Sequence, residues 1–377
     1  MDPEDGREKA RVNLADDPSN GAMVQMDLHL LPREILLEIL SRLPITSLIH
    51  FKTTSHAGYD LITDPRLPPM FRNQGCSRRV RKMDPPQHSE VNNLVGSCKG
   101  LLCLSFRIIG GSSVSHSLLI YNPFVGDAVR VPPANRFLNQ LEVFGFGFHP
   151  RTGQFKVVRI VWYEKIMAVV DPALDVEEVD DESMVQVFTV GKTEWRNQGA
   201  PPPQLTDEIG PPEALVEGSL HWVTDVGMDG DGSIFGIISF ELADEVFEEI
   251  PHPPCPQLVS REYSLSVLNG CLSAAGFVDA VHFDIWVMKK YDVKESWVKQ
   301  FSFDPCFRRG WPNFFTVICA LKNGEILLKK EDSSLVSYDP VENRFKTLQM
   351  SGLPNLFQAL PFLPSLFSAK ATMNLQL

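Results

Sequence analysis

Several kinds of chemistry have no material to work with in this sequence. No stretch reaches the roughly 18 uninterrupted apolar residues that a membrane helix requires. The first 27 residues carry no apolar core of the kind found in a secretion signal. The seven cysteines, at 76, 98, 103, 255, 271, 306 and 319, are odd in number and include no Cys-x-x-Cys pair, so neither a zinc knuckle nor a disulfide framework is indicated. They read as reduced and mostly buried thiols in a cytosolic or nuclear protein. Nine histidines lie scattered at 29, 50, 56, 88, 116, 149, 221, 252 and 282, without the His-x-His or His-Glu-x-x-His spacing of a metal site. Gly-x-Ser-x-Gly elbows and Walker-type phosphate loops are absent too. Positive charge is scarce: 35 Lys and Arg stand against 47 Asp and Glu, a formal net charge of -12. A backbone-neutralising footprint is therefore missing, and nucleic-acid binding is not expected as the main activity. Neither a cofactor nor a catalytic centre is expected.

What the chain does have is a dense apolar block near its start. Residues 1–27 mix charges with Gly, Pro and Asn and read as a disordered leader. Over residues 28–67 the apolar spacing becomes helical. Ile35, Leu36, Ile39, Leu40 and Leu43 share one side of a helix that Pro32 can open and Pro44 can end. A second helix would carry Leu48, Ile49 and Phe51, and a third Tyr59, Leu61 and Ile62, stopping at Asp64-Pro65. Three helices in so few residues cannot cover their own apolar surface, so this module calls for a partner. Residues 68–93 read as a linker with Pro pairs and a basic cluster, Arg78, Arg79, Arg81 and Lys82. Solvated linker charge accounts for that cluster more simply than a nuclear-import signal.

Beyond residue 94 the period changes from 3.6 to 2. Glycine-centred strand openings recur at Gly100, Gly153, Gly218, Gly270 and Gly324, spaced by 53, 65, 52 and 54 residues. Each is followed by a strand that turns through polar residues and returns: LLIYNPFVGDAVRVPP, VQVFTVGKTEWRNQGAPP, GIISFELADEVFEEIPHPP, IWVMKKYDVKESWVKQF and LVSYDPVENRFKTL. An antiparallel unit of about 50 residues repeated in this way predicts an all-β domain over 94–367, a β-propeller of five to six blades with a kelch-like repeat length. An irregular β-sandwich with evenly spaced hairpins is the alternative. The acidic run DPALDVEEVDDES (171–183) accounts for the long gap as an exposed loop. The Pro-broken apolar segment 354–367 is expected to close the last blade or pack on its neighbour, ahead of a tail at 368–377. Trp195, Trp222, Trp286 and Trp297 are expected to pack between blades, and His221 to be a hydrogen-bonded core histidine.

LPREILLEILSRLP followed by SLIHF, YDLI and DPRL resembles an F-box, the helical module that docks a receptor onto the Skp-type adaptor of a cullin ubiquitin ligase. GSCKGLLCLS, FGFGFHPRTGQFKVVRI, EGSLHWVTD and the hairpin signatures resemble, in order, the F-box-associated domain of plant F-box proteins. The resemblance implies adaptor contacts from Leu31, Pro32, Ile35, Leu36, Ile39, Leu43, Pro44, Leu48 and Phe51, while Leu40 is better read as internal packing. It departs from the family in the third helix, where Gly58 stands at the usual tryptophan position. The implied function is non-catalytic: the propeller holds an unidentified target protein while the F-box joins it, through the adaptor, to a cullin. A carbohydrate- or small-ligand-binding propeller and a degenerate F-box scaffold outside any ligase are the rival readings.

Overall fold

The structure is a computed structural model that describes Leu36, Leu40 and residues 93–110, 113–171, 176–229, 232–259, 263–279, 281–304, 315–330, 334–348 and 357–374. Twenty strands form five separate four-stranded sheets, each an antiparallel meander of strands consecutive in sequence. Blade 1 is β1 (Asn93–Cys98), β2 (Leu101–Gly110), β3 (Ser113–Asn122) and β4 (Asp127–Arg130). Blade 2 is β5 (Leu138–His149), β6 (Gln154–Asp171), β7 (Val176–Thr189) and β8 (Arg196–Gly199). Blade 3 is β9 (Ala214–Val216), β10 (Ser219–Asp229), β11 (Gly232–Glu241) and β12 (Val246–Ile250). Blade 4 is β13 (Ser264–Leu268), β14 (Cys271–Phe277), β15 (Phe283–Met288) and β16 (Trp297–Phe303). Blade 5 is β17 (Phe315–Ala320), β18 (Ile326–Lys330), β19 (Ser334–Asp339) and β20 (Arg344–Leu348). The expected β-propeller is therefore found, with five blades among the described residues.

The repeated glycines mark one structural position. All five have positive φ and lie in the turn between the first and second strands of their blade. At Lys99-Gly100, Glu217-Gly218 and Asn269-Gly270 both residues are left-handed, as a two-residue type I′ hairpin requires. The second signature is the hairpin of strands three and four in every blade.

First strands of successive blades pack on one another, β1 on β5, β9 on β13 and β13 on β17, which places them innermost. Fourth strands are the most exposed, β8 along its whole length. Blades 2, 3 and 4 bury both faces against their neighbours, so the core is divided among the blade interfaces. One cluster joins blades 1 and 2 through Leu101, Ile120, Phe144, Phe146 and Phe188. Others join blades 2 and 3 through Ile160, Leu220, Trp222 and Phe240, blades 3 and 4 through Ile237, Leu265 and Trp297, and blades 4 and 5 through Ile285, Phe315 and Leu328.

The run Phe144-Gly-Phe-Gly-Phe148 on β5 shows how pleat alternation serves two interfaces at once. Phe144 and Phe146 enter the cluster with blade 1. The glycines face blade 3, where a Cβ on Gly145 would stand 2.7 Å from Leu220 Cδ1 and one on Gly147 2.5 Å from Leu242 Cδ1. Phenylalanine on one face and no side chain on the other let blade 3 approach β5 closely.

Two tryptophans latch neighbouring blades in the same way. Trp195, just before β8, donates its indole N–H to the Pro132 carbonyl of blade 1 at 2.8 Å, and Trp297, opening β16, donates to the Pro251 carbonyl of blade 3 at 2.8 Å. With Trp222 fully buried and Trp286 packed at the interface of blades 3 and 4, the tryptophans pack between blades as expected. Of the five described cysteines, all free, only Cys103 is buried and the others are half-buried, so they are less enclosed than expected.

From residue 176 onward the acidic run is strand rather than loop. The ladder of β6 and β7 continues through Lys165↔Asp180 and Val169↔Glu177 to Asp171↔Val176, so 176–183 is strand. Valines at 176 and 179 among the carboxylates, with a valine-rich partner strand, let the pairing run on, and a charge-based reading misses this.

Residues 357–374 close the ring. Lys329 of β18 lies over the Phe357 ring, and the chain then crosses to blade 1, where the Gln358 side-chain carbonyl accepts from the Leu94 N–H at 2.7 Å. Asn122 Nδ2 donates to the carbonyls of Ser365 and Phe367 at 3.0 and 2.6 Å, and Ser365 Oγ donates to the Lys99 carbonyl at 2.6 Å. A final helix, Ala369–Asn374, seats Ala369 in the core of blades 1 and 2. The segment expected to close the last blade or pack on its neighbour thus does its work against the first.

Candidate functional site

Of the residues expected to meet an adaptor, Leu36 is described: it is helical and buried, at 7% exposure, as is Leu40 at 4%. A spacing of four puts both on one face of the helix. Leu31, Pro32, Ile35, Ile39, Leu43, Pro44, Leu48 and Phe51 lie outside the described residues, as do Gly58, the leader and the basic cluster of the linker.

Polar groups buried in the propeller tie strands within blade 2 and link neighbouring blades. Arg159 on β6, 1% exposed, donates from Nε to Glu142 Oε2 at 2.6 Å and from Nη1 to Gln186 Oε1 at 2.6 Å and the Asn135 carbonyl at 3.0 Å. Glu142 Oε1 accepts from the backbone N–H of His116 in blade 1 at 3.0 Å and lies 2.9 Å from its Nδ1. Burial pushes the Glu142 carboxyl up, but the His116 hydrogen bond and the Arg159 charge outweigh it and hold the group below the ordinary carboxylate range. Lys156, also buried, reaches Glu245 Oε1 of blade 3 at 2.7 Å, and His149 Nε2 lies 2.7 Å from Glu241 Oε1. His221 is fully buried between the Ala214 carbonyl and the Tyr291 hydroxyl, at 3.3 and 2.9 Å. Burial depresses it to about 4, against weaker opposing hydrogen bonds with the Ala214 and Ser219 backbone, which makes it the neutral core histidine expected from the sequence. No group of three metal-ligating side chains occurs among the described residues.

The concave surface with an uncommitted apolar lining lies on blade 2, where the long hairpin leaves the disc. A bulge in β5, with Leu138 opposite Glu164 and Leu141 opposite Trp162, displaces Asn139 and Gln140 from the ladder and leaves Leu138 and Leu141 46% and 53% exposed. Phe137 stacks on Tyr163 with ring centroids 4.2 Å apart, and Arg159 lies 5.7 Å from the Phe137 centroid. Tyr163 donates to Glu182 Oε2 at 2.8 Å, Lys165 pairs with Glu182 at 2.5 Å, and Asn139 donates to Glu164 Oε2 at 2.7 Å. Phe137, Leu138, Tyr163, Glu164, Lys165 and Glu182 line an open cleft of about 440 Å³. Sequence reading missed it because its parts come from a bulge and a hairpin 25 or more residues apart; the odd 65-residue gap was the one signal pointing there.

The described blades define a five-bladed propeller domain. Comparison with known proteins gives its family. Residues 28–69 match the F-box domain and residues 70–359 the F-box associated beta propeller domain. The chain belongs to the F-box proteins that carry an F-box associated β-propeller. It is 31% identical to the F-box protein At3g07870 of Arabidopsis thaliana, over 91% of this chain and 93% of that one. It is also 25% identical to the F-box protein CPR1 of the same plant, over 87% and 86% of the two chains, and 23% identical to its F-box/kelch-repeat protein At3g23880, over 84% and 90%.

Proposed function

We propose that this protein is the target-recruiting subunit of a Skp–cullin–F-box ubiquitin ligase. The observation that carries the reading is the direct succession, in one chain, of an F-box over 28–69 and a propeller domain over 70–359. The F-box docks an amphipathic helical face into a groove of the Skp-type adaptor, and the propeller holds a target protein. No bond is made or broken by this chain. Its contribution is proximity: a tethered target meets the ubiquitin-charged enzyme at the high effective concentration of an intramolecular encounter.

Calorimetric titration of the full chain with a purified Skp-type adaptor tests this. Sub-micromolar binding is expected, weakened by about 2 kcal/mol, roughly 30-fold, in Ile39→Ala or Leu48→Ala. Leu36→Ala is a poorer probe, because Leu36 is already buried within this chain and truncation there also disturbs packing. Gly58→Trp is expected to tighten the complex by restoring a large buried aromatic. A well-folded protein that does not bind at tens of micromolar overturns the receptor reading and leaves a scaffold outside the ligase.

A further inference from the structure

The hairpin of blade 2 is longer than its blade needs. β6 and β7 span 18 and 14 residues, where the matching strands of blade 4 span 7 and 6 and those of blade 5 span 5 and 6. On its outer side β7 is covered by β8 only at Val185, Gln186 and Val187. Among the described residues no strand lies beside Val176–Met184, which leaves an open edge of backbone donors and acceptors. Its described side chains include Asp180, Asp181 and Glu182.

We propose that this edge, with the cleft beside it, is where the propeller holds its target, and that the part held is an extended segment rich in lysine and arginine with one apolar side chain. The proposal rests on the receptor reading above and names the surface and the chemistry of the partner. A segment added to β7 continues the pleat of the sheet, so its residue opposite Glu182 falls on the face that Glu182 shares with its cross-strand partner Tyr163. An apolar side chain there falls on the same face of the sheet as the Tyr163 ring, which stacks on Phe137. The alternating neighbours of that residue run along a strand whose carboxylates only accept hydrogen bonds and carry negative charge. The same charges oppose edge-to-edge pairing of two copies of this chain, since identical acidic strands would set like charges across from one another. Lys165 offsets Glu182, with which it pairs, and leaves Asp180 and Asp181 as the net negative charge beside it.

The test uses the full chain and a fluorescein-labelled heptapeptide, Arg-Lys-Thr-Leu-Thr-Lys-Arg, followed by fluorescence anisotropy at low and moderate salt. Saturable binding that weakens with salt is expected. At least tenfold weakening is expected for the Glu-for-Lys/Arg peptide, for the Leu-to-Ser peptide, and for a peptide N-methylated at alternate residues, which keeps its charge but cannot join a strand. The exposed-site variants Asp180→Lys/Asp181→Lys and Leu138→Ser should each lose at least tenfold, while Glu208→Lys, an exposed acid elsewhere, should bind as wild type. Equal binding of the charge-reversed or N-methylated peptide, or indifference to both cleft variants, overturns the proposal. Tighter peptide binding in an Arg78→Ser/Arg79→Ser/Arg81→Ser/Lys82→Ser variant would make the chain's own linker the occupant and overturn it as well. Adaptor titrations on the same samples separate the two readings: lost adaptor binding with intact peptide binding removes the ligase and keeps the surface, and the converse removes the surface alone.

Discussion

His221 shows what burial does to a single titratable group in a propeller core. Its folded value of about 4 lies below the ordinary 6.5, so between these limits the unfolded chain takes up a proton that the folded chain refuses. The stability this neutral imidazole contributes is whole above pH 6.5, falls as the pH drops from 6.5 toward 4, and changes no further below that. By pH 5.5 the loss amounts to ~1 kcal/mol. Urea midpoints measured at pH 7.5 and 5.5 should fall accordingly, and His221→Gln should show a much smaller difference between the two. An equal drop in the variant would place the acid sensitivity elsewhere. His221 was readable from the sequence as a core residue because its apolar strand neighbours bury whatever stands between them and no second ligand lies at metal-binding spacing. Arg159 and Lys156 were not, because a buried cation is legible only once its partners are known, and Glu142 and Glu245 stand 17 and 89 residues away.

At the level of the strand and the turn, local chemistry declared itself. The five glycine openings and five hairpins are where the spacing placed them, since a left-handed turn needs glycine or a tolerant neighbour and strands alternate by steric necessity. Charge is a poor guide to 176–183, where valines and a pairing partner on β6 make a strand of an acidic stretch. The adaptor-facing residues were named by resemblance, and the structure describes Leu36 among them without showing what it meets. The close approach at β5 yields a prediction of its own. Gly147→Ala puts a methyl group where Leu242 and Leu215 already stand, and overpacking of this kind costs roughly 1–3 kcal/mol. Thermal denaturation should show a clear loss, partly restored by pairing it with Leu242→Val; an unchanged midpoint would mean that blade 3 yields easily.

For the whole molecule the decisive feature is how the ring is held shut. No sheet among the described residues combines strands from both ends of the domain, so closure falls to the strap at 357–374 and its anchors on blade 1. Asn122 is the hub, holding two strap carbonyls with its amide while its own Oδ1 accepts from the N–H groups of Phe124 and Val125. Asn122→Ala leaves buried carbonyls unpaired and is expected to lower stability by about 2 kcal/mol. Hydrogen exchange should then accelerate in blades 1 and 5 more than in blade 3. Uniform acceleration over all five blades would show that the ring opens as a unit rather than at this seam.

A strap of this kind also sets an order of events during synthesis. Translation delivers the F-box before the propeller and the blades one after another, yet the strap at 357–374 cannot lock the ring until it has been made. A message cut short within the fifth blade would therefore yield a chain that still carries its F-box but has an unsealed propeller. On the receptor reading proposed above, such a product would still present its F-box on an unsealed propeller, and the cell would have reason to clear it before it competes with the finished chain.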